Sequence, residues 1–407
     1  MKLELIFENF SEKYIYLERY VNNGSPSGFS VNTTSEYTAP LGTNEFYYLS
    51  VIEFDDTIEV KTIGDNNLYP LSEKAIICHP DNIKMDFLKN ISEHWRETGK
   101  IKVSPTASGR TVKCIGENEF FIKLDYHGLI GRITRNLDSK KLYSACEVSE
   151  ELINAINNNK MNNKFFLFKE NCGKVAYIPL GDGQFYELGF VYREHTPYPY
   201  NNKIKAYLPF FSLFGTDRFA LDDLPIIVQL YNKSSQDPNE FLQNILTDVI
   251  NCYFDSLENC GMCLEAHAQN MLIGIDEDFN IQGIIARDME SVDKDLPLRE
   301  YLNLDNNFKS YPYKCLKLTD YNYQIMHSFM FDFKLGMYLI DPLIDTFNKY
   351  IPINVEQIIY RLKEVSKSRI KNLPNNYFPN YWYNYDNKIF DRSKPRPYIA
   401  HDNPRYR

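Results

Sequence analysis

Glu265-Ala-His267-Ala-Gln269-Asn270 gathers a carboxylate, an imidazole and two amides within six residues, and the chain then returns a second carboxylate in Arg287-Asp288. Glu265, Asn270 and Asp288 offer the hard oxygen ligands that Mg²⁺ takes while it keeps waters and substrate phosphates as its other ligands. Chemistry on a nucleotide is the expectation. His267 is placed to donate to a phosphate or carboxylate oxygen as charge develops there in a transition state.

A cationic group lies upstream. Ser108-Gly109-Arg110-Thr111 sets hydroxyls and a glycine around a guanidinium, which can grip phosphate oxygens in a bidentate fork. Lys123 interrupts the apolar run Phe120-Phe-Ile-Lys-Leu124, where a charge is costly unless paired, and Arg135 follows soon after. His79 closes the apolar run Lys74-Ala-Ile-Ile-Cys78; Pro80 stops that element, leaving the imidazole at an edge where it can face a cleft. Without this chemistry the same residues would be ordinary turn residues around a capped core histidine. An apolar hairpin bracketed by metal-ligand types favours the chemical reading.

The elements that must hold these groups are legible nearby. Met271–Asp276 and Ile281–Asp288, joined by Glu277-Asp-Phe-Asn280, read as a hairpin that returns Asp288 towards Asn270. Upstream, Asp237 as N-cap, Pro238 at the first position and Glu240 three residues after the cap predict a helix. Its stripe Leu242, Ile245, Leu246, Val249, Tyr253 and Leu257 ends near Gly261 and aims the chain into Glu265. Strands are expected at 165–168, 175–180 and 186–193, a helix over 86–98 with Phe87, Leu88, Ile91 and Trp95 on one face, and a buried segment at 204–214.

Composition narrows the class. A chain of 407 residues with 43% hydrophobic and 24% charged residues is folded, and too long for one ordinary core. Its net charge of −9 argues against a nucleic-acid partner, so positive charge for anionic ligands must be local. The N-terminal stretch carries acids and no signal-peptide pattern, and no run is long enough to span a bilayer; a cytoplasmic protein without a membrane partner is the expectation. The eight scattered cysteines read as reduced packing residues.

Leu264-Glu-Ala-His-Ala-Gln-Asn270, the hairpin and Arg287-Asp288 closely resemble the signature of the NRPS-independent siderophore synthetases, the aerobactin-synthetase-like family. Ser108-Gly-Arg110-Thr111 resembles that family's Ser-x-Arg-Thr motif, with Lys123 and Arg135 at suitable distances after it. Tyr192-Arg193-Glu194 and Asn403-Pro404 are also similar to family segments, and Lys388 loosely so. The resemblance implies an α+β, cupped-hand architecture with antiparallel sheets and a helical C-terminal part. Its parts would be a shortened thumb-like subdomain (1–100), a β-rich fingers-like subdomain (101–200) and a palm-like subdomain (201–407).

It further implies a ligase using ATP and Mg²⁺ that adenylates a carboxylate of citrate or a related polycarboxylic acid and passes the acyl group to an amine or hydroxyl nucleophile. Carried over residue by residue, Ser108, Arg110, Thr111, Lys123 and Gln269 would hold the nucleotide. Glu265, Asn270 and Asp288 would bind the metal, Arg135 and His267 would act at the acid's carboxylate, and His79 would line the acid pocket. A homodimer is compatible with it. The sequence departs from the family in its shorter length and in Ile83, which stands where a lysine follows the His-Pro segment, Lys84 coming one later. Two other readings are a kinase-like phosphotransferase, opposed by Gln269 near the place of a catalytic Asp, and a degenerate nucleotide-binding homologue without catalysis.

Overall fold

The computed structural model describes residues 1–23, 35–64, 70–116, 119–130, 133–320, 322–385 and 398–407. Lys388 and most of the Asn22–Gly28 stretch lie outside them.

Strands rich in aromatic and β-branched residues build an eight-stranded antiparallel sheet. Its order is Glu59–Gly64, Cys172–Gly181, Gln184–Glu194, Phe120–Leu124, Thr111–Cys114, Trp95–Pro105, Tyr47–Phe54 and Ala75–Cys78. The sheet curls until the edge strand Ala75–Cys78 comes against Gln184–Glu194, enclosing a core that includes Leu49, Ile76, Val103, Ile122, Leu188 and Phe190.

Phe120–Leu124 is buried on both faces. Because side chains alternate along a strand, Phe120, Ile122 and Leu124 enter that core while Phe121 faces the other way. There Phe121 meets Tyr14, Phe166, Phe168, Tyr207, Leu272 and Ile285. Lys123 shares the face of Phe121. Register places Thr111 opposite Lys123 and Arg193 opposite Phe121, so these polar side chains all emerge on this second face.

The second face looks towards a four-stranded sheet ordered Phe165–Leu167, Ile281–Ala286, Met271–Ile275 and Ala206–Pro209. Its centre is the expected hairpin, paired from Met271↔Ala286 to Gly274↔Gly283 and, after a register shift, at Ile275↔Ile281. The turn is organised by Asp276 Oδ1, which accepts from the backbone N–H of Asp278 at 3.0 Å and of Asn280 at 2.8 Å. At the open end the Arg287 N–H donates to Asn270 O at 2.9 Å, closing the distance between the Asn270 loop and Asp288.

The helix Pro238–Cys260 forms as its capping signals predict. Asp237 Oδ1 accepts from the N–H of Asn239 and Glu240, and the apolar stripe is buried. Gly261 ends it at φ 59°, where a Cβ would lie 2.3 Å from Arg299 Cγ, so both conformation and space require glycine. The C-terminal part is helical, with a π-helix at Phe329–Ile340 and α-helices at Asp341–Tyr350 and Val355–Ile370.

Strands at 165–167, 172–181 and 184–194 agree with expectation, as does burial of 206–214. The helix expected over 86–98 does not form. One helical turn, Asp86–Lys89, and a 3₁₀ turn, Ser92–His94, lead directly into the strand beginning at Trp95. Phe87, Leu88 and Ile91 are buried as the periodicity required. Trp95 instead pairs with Phe54 and donates Nε1–H to Leu88 O at 3.0 Å; ladder pairing with Tyr47–Phe54 outweighs one more helical turn. All eight cysteines are free. No helix among the described residues is long and apolar enough to cross a membrane.

Candidate active site

The two groups singled out in the sequence meet where the large sheet faces the hairpin. Lys123, 2% exposed, reaches Glu290 Oε2 at 2.7 Å and forms a short ion pair with Asp288 Oδ1. Arg110 lies 3.4 Å from the same Glu290 oxygen and donates to Arg135 O at 2.9 Å. Tyr313 OH donates to Glu290 Oε1. Burial pushes both carboxyls up, but the cations outweigh it: Lys123, Arg193 and Arg110 hold Asp288 well below the carboxylate range, and Lys123 with Arg110 does the same to Glu290.

Asp288 itself occupies the left-handed region, φ 73° and ψ 56°, which is costly for a residue with a side chain. The turn is tied down on both sides. Ser291 Oγ donates to Asp288 O at 2.7 Å, and the Met289 N–H donates to Glu170 at 3.1 Å.

Ser108, Gly109 and Arg110 form a tight connection between strands, closed by Thr106, whose hydroxyl donates to Thr111 O at 2.7 Å. Thr111 is buried and Ser108 half-buried. Arg135 joins the cluster electrostatically: burial and neighbouring Arg110 lower its pKa, while Asp288, Glu290 and Glu265 oppose them.

On the hairpin side, Asn270 Nδ2 donates to Glu265 O at 3.1 Å and lies 3.4 Å from Ser291 Oγ. Burial raises the Glu265 carboxyl, but Lys334 at 2.7 Å, His267 and Lys314 prevail and bring it down to about 2. His267 Nδ1 accepts the Gln269 N–H at 3.1 Å, so a neutral ring carries its proton on Nε2, 4.0 Å from Glu265 Oε1. Burial lowers its pKa to about 4 despite Glu265. A neutral imidazole that donates from Nε2 suits an oxygen gaining charge. Arg287 is scaffold: its Nε donates to Gln269 O at 2.7 Å, and its Nη1 to Tyr14 OH at 2.7 Å and Glu18 Oε1 at 2.5 Å, tying loop and hairpin to the helix Phe10–Tyr20.

His79 is fully buried. Its Nδ1 accepts the Asp81 N–H at 3.2 Å, and its ring lies edge-on to Tyr126. Burial lowers its pKa to about 4, against the pull of Asp81 and of the Gly109 carbonyl, which connects it to the Ser108–Arg110 turn.

Among the described residues no three His, Cys, Asp or Glu side chains group closely enough to hold a metal. The donor set is nonetheless of the type Mg²⁺ accepts: Glu265 and Asp288 carboxylates and the Asn270 amide in one connected patch, with phosphates left to complete the sphere. Sequence reasoning missed Glu170, Glu290, Tyr313 and Lys334 and gave Arg193 no role. Lys334, in Phe329-Met-Phe-Asp-Phe-Lys-Leu335, carried the same signal as Lys123, a charge inside an apolar run.

No family model and no curated protein matches the sequence. The structure does match solved structures, a likeness of fold at low sequence identity. The chain is similar to the petrobactin biosynthesis protein AsbB from Bacillus anthracis str. Sterne, with a TM-score of 0.69 and 15% identity over 91% of this chain and 71% of that one. It also resembles ATP-bound aerobactin synthetase IucA from a hypervirulent pathotype of Klebsiella pneumoniae, at 0.67 and 13% over 92% and 75%. Aerobactin synthetase IucC from the same source aligns at 0.64 and 14%, over 83% of this chain and 64% of that one.

Proposed function

We propose that this chain is an ATP-dependent synthetase of the siderophore-forming kind, which activates a carboxylate of citrate or a related polycarboxylic acid as an acyl adenylate and condenses it with an amine or hydroxyl nucleophile. The observation that carries this reading is the convergence of Lys123, Arg110 and Arg193 from the large sheet on Asp288 and Glu290 beyond the hairpin. Such a junction can exchange its internal ion pairs for phosphates and a metal. The ATP bound to aerobactin synthetase IucA supports the choice of nucleotide.

In the first step a carboxylate oxygen of the acid attacks the α-phosphorus of ATP, and pyrophosphate leaves. In the second, the nucleophile attacks the acyl carbon, AMP departs with the bonding electrons, and the nucleophile's proton is lost to solvent or a base. Arg110 and Lys123, with the Ser108 and Thr111 hydroxyls and Gln269, hold the nucleotide. Glu265, Asn270 and Asp288 would hold the metal; bound Mg²⁺ would neutralise phosphate charge and fix the phosphate conformation. Arg135 orients the acid's carboxylate, and His267 Nε2–H stabilises charge developing on it. His79, beneath the Ser108–Arg110 turn, lines the acid pocket. The reading places the enzyme in the cytoplasm with its ATP, acting on small molecules.

AMP and pyrophosphate release, with hydroxylamine as the trapping nucleophile, tests this across a panel of di- and tricarboxylates. Hydroxamate formation with citrate or a close relative is expected. Silence across the panel would overturn it, and ADP in place of AMP would turn the assignment to phosphoryl transfer.

A further inference from the structure

Glu170 is a fully buried carboxylate for which the proposed reaction has no task. A buried charge persists only when paired, and its partners all concern Asp288. The residue follows the strand Phe165–Leu167, which runs parallel to the strand Ile281–Ala286 that delivers Asp288. Its Oε1 accepts from Arg193 Nε at 2.6 Å and lies 2.5 Å from Arg193 Nη2. Its Oε2 accepts the Met289 N–H at 3.1 Å. The same Arg193 Nη2 stands 2.9 Å from Asp288 Oδ1. One carboxylate therefore holds both the cation beside Asp288 and the peptide that follows Asp288 in its left-handed turn.

This arrangement bears on how Asp288 is released. Two cations touch it directly, Lys123 and Arg193. Phosphates arriving at Lys123 would remove the first; Arg193 would then neutralise Asp288 by itself, unless another anion shared its charge. Glu170 is that anion, and it is anchored too firmly to follow Arg193 towards Asp288. We propose that Glu170 is a positioning residue that keeps Arg193 shared and the Asp288 turn fixed, so that nucleotide binding frees Asp288 for a divalent cation. The proposal rests on the reading of this site as a nucleotide site.

Calorimetric titration of the full chain with ATP in EDTA and with ATP plus Mg²⁺ measures how much the metal tightens nucleotide binding. Glu170→Gln keeps the size of the side chain while removing the charge and one of the two acceptor oxygens that Arg193 and the Met289 N–H use. It is expected to reduce the metal-dependent gain about 10- to 100-fold, the usual range for groups that orient metal ligands, with metal-free ATP affinity changed by less than about threefold. A purely structural role would move both affinities together, which would overturn the proposal. So would an unchanged gain. If Glu170→Gln does not fold, Glu170→Asp carries the same test: it retains charge but cannot span Arg193 and Met289, so a reduced gain supports the proposal and an intact one refutes it. A wild-type chain that binds no ATP under either condition would instead overturn the nucleotide site itself, and this inference with it.

Discussion

Lys334 Nζ lies 2.7 Å from Glu265 Oε1, which ties the π-helix Phe329–Ile340 to the loop that begins the candidate metal site. The lysine holds Glu265 ionised, and in so doing competes with any metal for it. Burial alone would raise the carboxyl, whereas Lys334, His267 and Lys314 depress it to about 2 from an ordinary 4.5. Because the folded value is depressed, the stabilisation is fully present above about pH 4.5 and is lost as pH falls towards 2. Lys334→Met should move the onset of acid unfolding to higher pH, read from urea midpoints at a series of pH values, with a smaller change at pH 7.

Lys123 separates structural from chemical roles. Lys123→Met leaves buried Glu290 and half-buried Asp288 with less compensation, and is expected to cost about 3 kcal/mol. Adding Glu290→Gln removes one of the stranded charges and should recover part of that stability. It should not recover AMP release, because the phosphate-binding cation is still missing. Denaturation midpoints and AMP assays on the two single variants and the double make the comparison, and recovery of activity in the double would assign Lys123 to folding alone.

Features whose signals lie within a few residues were readable in the sequence. The helix cap at Asp237-Pro238-Asn-Glu240 and the hairpin around Glu277–Asn280 are local, and both form as expected. The site's charge pairing is not local: Arg193 meets Asp288 across 95 residues and Lys123 meets Glu290 across 167. Composition could demand partners for Lys123 without naming them. Glu170 gave no such signal, because Lys169-Glu170-Asn171 reads as a polar turn. Trp95 misled for a related reason. Its spacing from Phe87, Leu88 and Ile91 satisfies a helix, and only the distant strand Tyr47–Phe54 decides otherwise.

His267 should not titrate near neutrality. Burial lowers its pKa to about 4, and that of His79 equally, from an ordinary 6.5. The folded protein therefore binds fewer protons than the unfolded chain between these values, so both histidines contribute to a loss of stability as pH falls from 6.5 towards 4. Nitrogen-15 spectra of labelled histidine should report a neutral Nε2–H ring for His267 at pH 7. His267→Asn is expected to lower the rate of hydroxamate formation about 100- to 1000-fold, as loss of a donor to developing negative charge does, with ATP affinity little altered. An imidazolium at pH 7 would remove the basis of this assignment.

Asp295 provides a stability test away from the nucleotide contacts. The buried carboxylate accepts from Tyr377 OH at 2.6 Å, Tyr323 OH at 2.8 Å and the Leu298 N–H at 3.0 Å. His327, fully buried, stacks on Tyr377 and meets Tyr323 edge-on, with Nε2 3.4 Å from Asp295 Oδ2. Burial lowers the His327 pKa to about 3, so the ring is neutral at pH 7 and packs as an aromatic side chain. Asp295→Ala orphans three donors at once and should cost about 3 kcal/mol or more. His327→Phe keeps the ring contacts and removes two buried nitrogens, so it should be neutral or stabilising in thermal and urea denaturation. A large destabilisation by His327→Phe would instead give the imidazole a polar role that its present contacts do not.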